Sequence, residues 1–111
     1  MAISSFDTYQ ALARRTAGDH PEFADRVTNW VLGLAGEAGE IADRWKKVLY
    51  HGHPFDKDAM VEELGDLLWY AAMLSDALGL PLSEVAARNI EKLKARYPDG
   101  FSPERSIHRT T

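Results

Sequence analysis

Apolar side chains in this chain recur at steps of three and four residues, the period of a helix with one buried face. The longest such run lies between about Glu22 and Leu49, where Phe23, Val27, Trp30, Val31, Leu34, Ile41, Trp45 and Val48 form a single stripe. A shorter run before it, about Ser5 to Ala17, carries Phe6, Tyr9, Leu12 and Ala13. Gly18-Asp19-His20-Pro21 separates the two as a turn. The stretch YHGHPFDKD then interrupts the pattern: Gly52 and Pro54 stop a helix, and Asp56 or Asp58 can cap the next. A third helix follows from about Lys57 to Leu78, ended by Gly79-Leu80-Pro81. Ser83 can cap a fourth, which ends near Arg96 because Pro98 disfavours helical geometry at Tyr97. From Ser102 to residue 111 the tail is polar and reads as mobile. No run alternates with period two and β-branched residues are sparse, so no strands are expected. The pattern predicts an all-α bundle of four or five helices, one domain over 1–111 with its motif-bearing core at about 22–101.

One stretch does not fit a plain core helix. VEELGDLLWY, residues 61–70, is strongly apolar, yet it places Glu63 only about 40° from the Leu67/Ala71 centre of its expected buried face. Asp66 lies about 100° from that centre. On the preceding helix Glu37 sits about 60° from the Leu34/Ile41 centre and Glu40 about 120°. Each pair is spaced i, i+3 and so stacks on one side of its helix. Both pairs therefore flank or enter the surface where helices pack.

A buried carboxylate without a partner is costly, and a like-charged neighbour raises the cost. One E-x-x-E alone is better read as a solvated helix face, and Arg44, Lys46 and Lys47 are close enough in sequence to offer salt bridges. Two such pairs on successive long helices, one inside an apolar arc, point instead to an external cation. Hard oxygen ligands select magnesium, manganese or calcium over zinc. Di-iron bundles use Glu-x-x-His, whereas the +3 positions here are Glu40 and Asp66 and the third helix has no histidine. Gly33, Gly36 and Gly39 recur within the long helix, and Gly65 stands between Glu63 and Asp66. Each costs roughly 0.5–1 kcal/mol against alanine, which implies close helix packing, room for a ligand, or both.

Composition bounds the setting. The chain has 111 residues, 45% of them hydrophobic, and a net charge of −4. A core is affordable at this length, but association with further copies would help stabilise it. The negative balance argues against wrapping a nucleic-acid polymer or binding an anionic membrane. There is no cysteine, hence no disulfide framework or thiolate metal site. No basic n-region precedes an apolar run at the N-terminus, and no segment is long enough to span a membrane. A soluble cytoplasmic domain is the expectation.

The runs GLAGEAGEIADRWKK, EELGDLLWY and NIEKLKARYPDGF together resemble the MazG-like nucleotide pyrophosphohydrolases, over about Leu32 to Phe101. That resemblance implies an all-α enzyme with the signature E-x-x-E followed by E-x-x-D. It would cleave (deoxy)nucleoside triphosphates to the monophosphate and pyrophosphate with Mg2+, for which Mn2+ can substitute. Carried over by position, Glu37, Glu40, Glu63 and Asp66 would hold the metal, and a water activated by it would be the nucleophile. Glu37 or Glu63 would take the proton; the sequence does not choose between them. Asn89, Lys92 and Arg96 match the family's phosphate-side positions and share one helix face at i, i+3 and i+7. Without the resemblance they would read as a solvated basic face beside Arg88 and Lys94. Asn29 resembles a position near the base pocket. The relatives that process phosphoribosyl-ATP share the carboxylates but usually end the helix differently. Some family members carry a basic residue before the second acidic pair, where this chain has Ala59 and Met60. Members are typically dimers or tetramers.

Other features carry less. His51 and His53 form H-x-H in a loop, but two histidines without a third ligand more often face solvent. Trp30 and Trp45 fall on the apolar stripe, so core is the first reading, with Trp45 also suited to stack on a base. Trp69 points about 160° away from Leu67. With Tyr70, Ala72 and Met73 it forms a second apolar strip, expected to be a subunit interface. The combined expectation is a Mg2+-dependent nucleoside triphosphate pyrophosphohydrolase acting as a homodimer or homotetramer. The alternatives are a non-catalytic helical module binding a nucleotide or divalent ion, or a phosphoribosyl-ATP pyrophosphohydrolase.

Overall fold

The computed structural model describes residues 2–109, and every regular element in it is helical. The helices are α1 (Phe6–Arg14), α2 (Phe23–Tyr50), α3 (Lys57–Ala77), α4 (Leu82–Arg96) and α5 (Pro103–Ile107). The all-α class and the helix count agree with the periodicity. The part of the tail expected to be mobile instead forms α5, because Ser102 caps it by accepting from Arg105 N and Pro103 suits a first helical position. Residues 110 and 111 lie outside the described residues. No helix among the described residues is long and apolar enough to cross a membrane.

Local signals set most boundaries. Ser5 caps α1, its hydroxyl accepting from Thr8 N at 3.1 Å. Asp56 caps α3 by accepting from Ala59 N at 3.0 Å. Gly52 and Gly79 follow α2 and α3 with φ of 71° and 76°, a left-handed conformation that glycine adopts without a Cβ penalty. The start of α4 is different. Its N-cap position is Pro81, which offers no side-chain acceptor, and Ser83 is not the cap. Asp7 on α1 supplies the acceptors across the fold, taking Ser83 N at 2.9 Å and Ser83 Oγ at 2.6 Å. These bonds hold the Asp7 carboxyl below its usual range.

α2 and α3 run antiparallel: Trp30 meets Trp69 toward one end, while Arg44 meets Glu63 nearer the connecting loop. α1 packs against α3, and α4 packs against both. The buried cluster is Ala13, Trp30, Ala72, Met73 and Leu82, with Tyr9, Trp69, Tyr70 and Leu74 packed against it. Ala72 and Met73 are 0% and 1% exposed. The strip expected to be a subunit interface is therefore part of the chain's own core, and Leu67 and Ala71 are only half-buried. The physical reason is α1, which covers that face. The Trp69 indole N–H lies within donating distance of Ala13 O at 3.1 Å and Thr16 Oγ1 at 3.0 Å. Buried Gln10 completes the junction. Its amide donates to Ala72 O and Leu80 O, and its carbonyl accepts from Leu82 N, so one side chain ties α1, α3 and α4. Arg14 adds an ion pair to Asp76.

Much of the predicted α2 stripe is not covered. Trp30 is buried, but Phe23, Val31 and Trp45 are exposed, as are Leu64 and Leu68 on α3. The chain is open in shape. Its radius of gyration is 17.1 Å, against about 13 Å for a compact domain of this length. Its accessible surface is 8105 Å², against roughly 6,100 Å² for a compact monomer of this mass.

Candidate metal centre

The antiparallel α2–α3 pair brings together Glu37, Glu63 and Asp66. One carboxylate oxygen from each lies within 4.8 Å of the other two. Glu37 and Glu63 are half-buried and Asp66 is exposed. The helix pair can approach closely because Gly33 faces the Tyr70 ring, where a Cβ would collide. Next to the carboxylates the glycines do something else: a Cβ at Gly36, Gly39 or Gly65 would meet nothing within 4 Å. The backbone beside the acidic groups thus borders open space.

Glu40 is not part of this trio. It is exposed, one turn along α2 from Glu37, and lines a neighbouring cleft. An i, i+3 pair diverges by about 60° around the helix, so only Glu37 of that pair faces α3. One of the basic residues close in sequence does join the carboxylates. Arg44 Nε donates to Glu63 Oε1 at 3.2 Å. Arg44 stands one turn beyond Glu40 on α2, which is how it reaches across to α3.

Glu37 is the most perturbed group. Its Oε2 is shut off from solvent and has no donor around it. Two ionised carboxylates cannot hydrogen-bond each other; a proton on Glu37 turns its contact with Glu63 into a hydrogen bond. That bond, then loss of solvation, then repulsion from Glu63, Asp66 and Glu40 push the Glu37 carboxyl up to about 7. Tyr9 of α1 is also drawn in: burial, then the Asp66 charge, raise its phenol above the usual range. Neither Tyr9 nor Arg44 was singled out as a site residue from the sequence. Tyr9 carried only an apolar-face signal, and Arg44 read as one of several surface cations.

The cleft beyond Glu40 has a volume of about 320 Å³ and is lined by Asp43, Arg44, Lys47, His53 and Phe55 among others. Trp45 is 47% exposed and meets Phe55 edge-on, with ring centroids 5.9 Å apart. His51 and His53 are exposed, and their rings are 6.4 Å apart. Asn29 is exposed on α2. Asn89 and Lys92 are exposed on α4, while Arg96 is half-buried in a cleft with Ser102, Glu104, Arg105 and His108. None of the four acidic residues lines that cleft.

The donor set suits a hard divalent cation. Three converging oxygens offset by one guanidinium leave net negative charge, and the orphaned Glu37 Oε2 is a lone-pair donor without a partner. Comparison with known proteins gives the same direction. A family model described as the MazG nucleotide pyrophosphohydrolase domain matches residues 8–101. The chain belongs to the MazG nucleotide pyrophosphohydrolase family. It is also similar to the Gene 37 protein of Mycobacterium phage L5, 38% identical over an alignment 108 positions long, which covers 85% of this chain and 90% of that protein. No solved structure matches. The MazG match spans all three converging carboxylates, Glu40 and the whole of α4.

Proposed function

We propose that this MazG-family protein is a magnesium-dependent nucleoside triphosphate pyrophosphohydrolase that works as a homo-oligomer. The observation that carries the reading is the Glu37/Glu63/Asp66 convergence with its unpartnered, solvent-excluded Glu37 oxygen. Mg2+, or Mn2+ in its place, would be held by these three residues with Glu40 at the margin. When bound, the ion supplies Lewis acidity, acidifying water and neutralising phosphate charge.

The chain's own groups do the rest. Without the ion the neighbouring carboxylates raise Glu37 toward neutrality; a bound cation favours its ionised form, in which Glu37 or Glu63 can take a proton from water. Lys92, Arg96 and Asn89 bind and orient the phosphates from α4. Asn29 and the exposed Trp45 face take the base. Arg96 lines a cleft that none of the acidic residues lines, and in this reading a second copy completes the site. The open shape and the uncovered Val31, Leu64 and Leu68 support that assembly. The substrate class is tested by incubating the protein with each common ribo- and deoxyribonucleoside triphosphate plus Mg2+ and measuring pyrophosphate. Release from at least one substrate, abolished by chelator, is expected. No release from any of them defeats the enzymatic reading and leaves a binding module.

A further inference from the structure

We propose that Arg44 is a resident counter-cation of this centre, holding Glu63 while no divalent ion is bound and turning to the substrate's phosphates once an ion takes Glu63. The proposal rests on the metal-centre reading above. It starts from charge balance. Arg44–Glu63 is the one ion pair linking α2 to α3 among the described residues. The two other cations of this stretch, Lys46 and Lys47, pair with Asp43 on their own helix. Arg44 is thus the positive group that offsets the carboxylate trio.

The contact has the character of an exchangeable one. It is a single bond through Nε at 3.2 Å, and the Arg44 side chain is 46% exposed. Its partner Glu63 is 16% exposed, but a single long contact from a half-exposed guanidinium is readily exchanged. A divalent cation that binds Glu63 directly carries twice the charge at shorter range and displaces the guanidinium. Arg44 then faces the cleft it already lines, of about 320 Å³, with Lys47, His53 and Glu40. The planar guanidinium fork matches phosphate oxygens in a bidentate way that an ammonium does not. The metal-free ion pair therefore stores a phosphate ligand beside the metal, and occupation of the metal site releases it.

A merely structural salt bridge predicts the opposite sign for metal binding. If Arg44 only oriented Glu63 for the metal, removing it would weaken metal affinity. If Arg44 competes for Glu63, removing it strengthens that affinity. Calorimetric titration of the chelator-treated full chain with Mn2+ separates the two, using wild type, Arg44→Gln and Arg44→Lys. Pyrophosphate is then titrated into each Mn2+-loaded protein. We expect Arg44→Gln to bind Mn2+ about fivefold tighter, from loss of one nearby positive charge, and pyrophosphate about tenfold weaker. Arg44→Lys keeps the charge, so its Mn2+ affinity stays near wild type while pyrophosphate binding falls between the two. Unchanged or weaker Mn2+ binding in Arg44→Gln overturns the proposal, as does unaltered pyrophosphate binding. If the wild type binds no Mn2+ at all, the metal-centre reading falls and takes the proposal with it. A wild type that binds while Arg44→Gln matches it overturns only the role of Arg44.

Discussion

Replacing Gly33 by alanine tests how the metal-bearing helices are held together. A Cβ at this position would overlap Cε1, Cζ and Cδ1 of Tyr70. Restoring ordinary contact requires the ring to move by more than about 1 Å. Tyr70 has little freedom to do so. It lies edge-on to Trp69 at 5.0 Å between centroids and 6.3 Å from Trp30, which is buried. Overpacking of this sort costs about 1–3 kcal/mol. Against it stands a gain of roughly 0.5–1 kcal/mol for alanine over glycine inside a helix. At mid-range values the net expectation is a loss of about 1 kcal/mol. With a typical urea dependence this lowers the midpoint by roughly 0.5–1 M. Equilibrium urea unfolding at fixed protein concentration, followed by circular dichroism, reads the shift. In a Tyr70→Leu background the same substitution should cost nothing, because the ring it strikes is gone. A Gly33→Ala protein as stable as wild type, or more so, would refute the close-approach account of the α2–α3 crossing.

Glu63→Gln keeps the side-chain shape but removes one of three converging charges, so pyrophosphate release should vanish while the helical circular dichroism spectrum persists; turnover at the wild-type rate would show that Glu63 is not a metal ligand. The metal-free protein should respond to pH through Glu37. Its folded value, about 7, lies above its ordinary 4.5, so the folded state binds the extra proton between those values. This contribution is full below about 4.5 and is lost as pH rises through about 7. Thermal melting of chelator-treated protein should therefore fall between pH 5 and 8, more steeply than in Glu37→Gln, and identical slopes would rule out the perturbed carboxyl. Assembly is read by light scattering. Wild type should exceed the mass of one chain, and Leu64→Glu with Leu68→Glu should reduce it, since both leucines are exposed on α3. A wild-type monomer at micromolar concentration sinks the oligomer. Trp69→Glu, by contrast, should unfold the protomer, because that indole packs against Trp30 and is tied to α1.

The helices, and the meeting of Glu37 with Glu63 and Asp66 between two of them, were legible because they rest on local physics. Period, glycine stops and the Asp56 cap act within a few residues, and an i, i+3 pair fixes its own face. What the sequence misjudged depended on which elements meet. The Trp69/Ala72/Met73 strip reads equally well as core or interface; only the docking of α1 decides, and nothing within α3 encodes it. Ser83 has the chemistry of a cap, but Asp7, 76 residues away in the chain, takes the role. Gln10 looks like a surface glutamine until three helices close around it. Glu40 shares a motif with Glu37 yet points past the crossing, and Arg44 acquires its meaning only from Glu63 across the helix pair.

The central claim is that the carboxylate trio holds a divalent ion with whose help the protein hydrolyses a nucleoside triphosphate to monophosphate and pyrophosphate. Phosphorus NMR of a single reaction tests it most directly: a triphosphate substrate followed with the protein and Mg2+, then again after excess chelator. The account predicts monophosphate and pyrophosphate resonances growing together in Mg2+, and neither growing once the ion is removed. Nucleoside diphosphate with inorganic phosphate, or pyrophosphate accumulating undiminished in chelator, would contradict it.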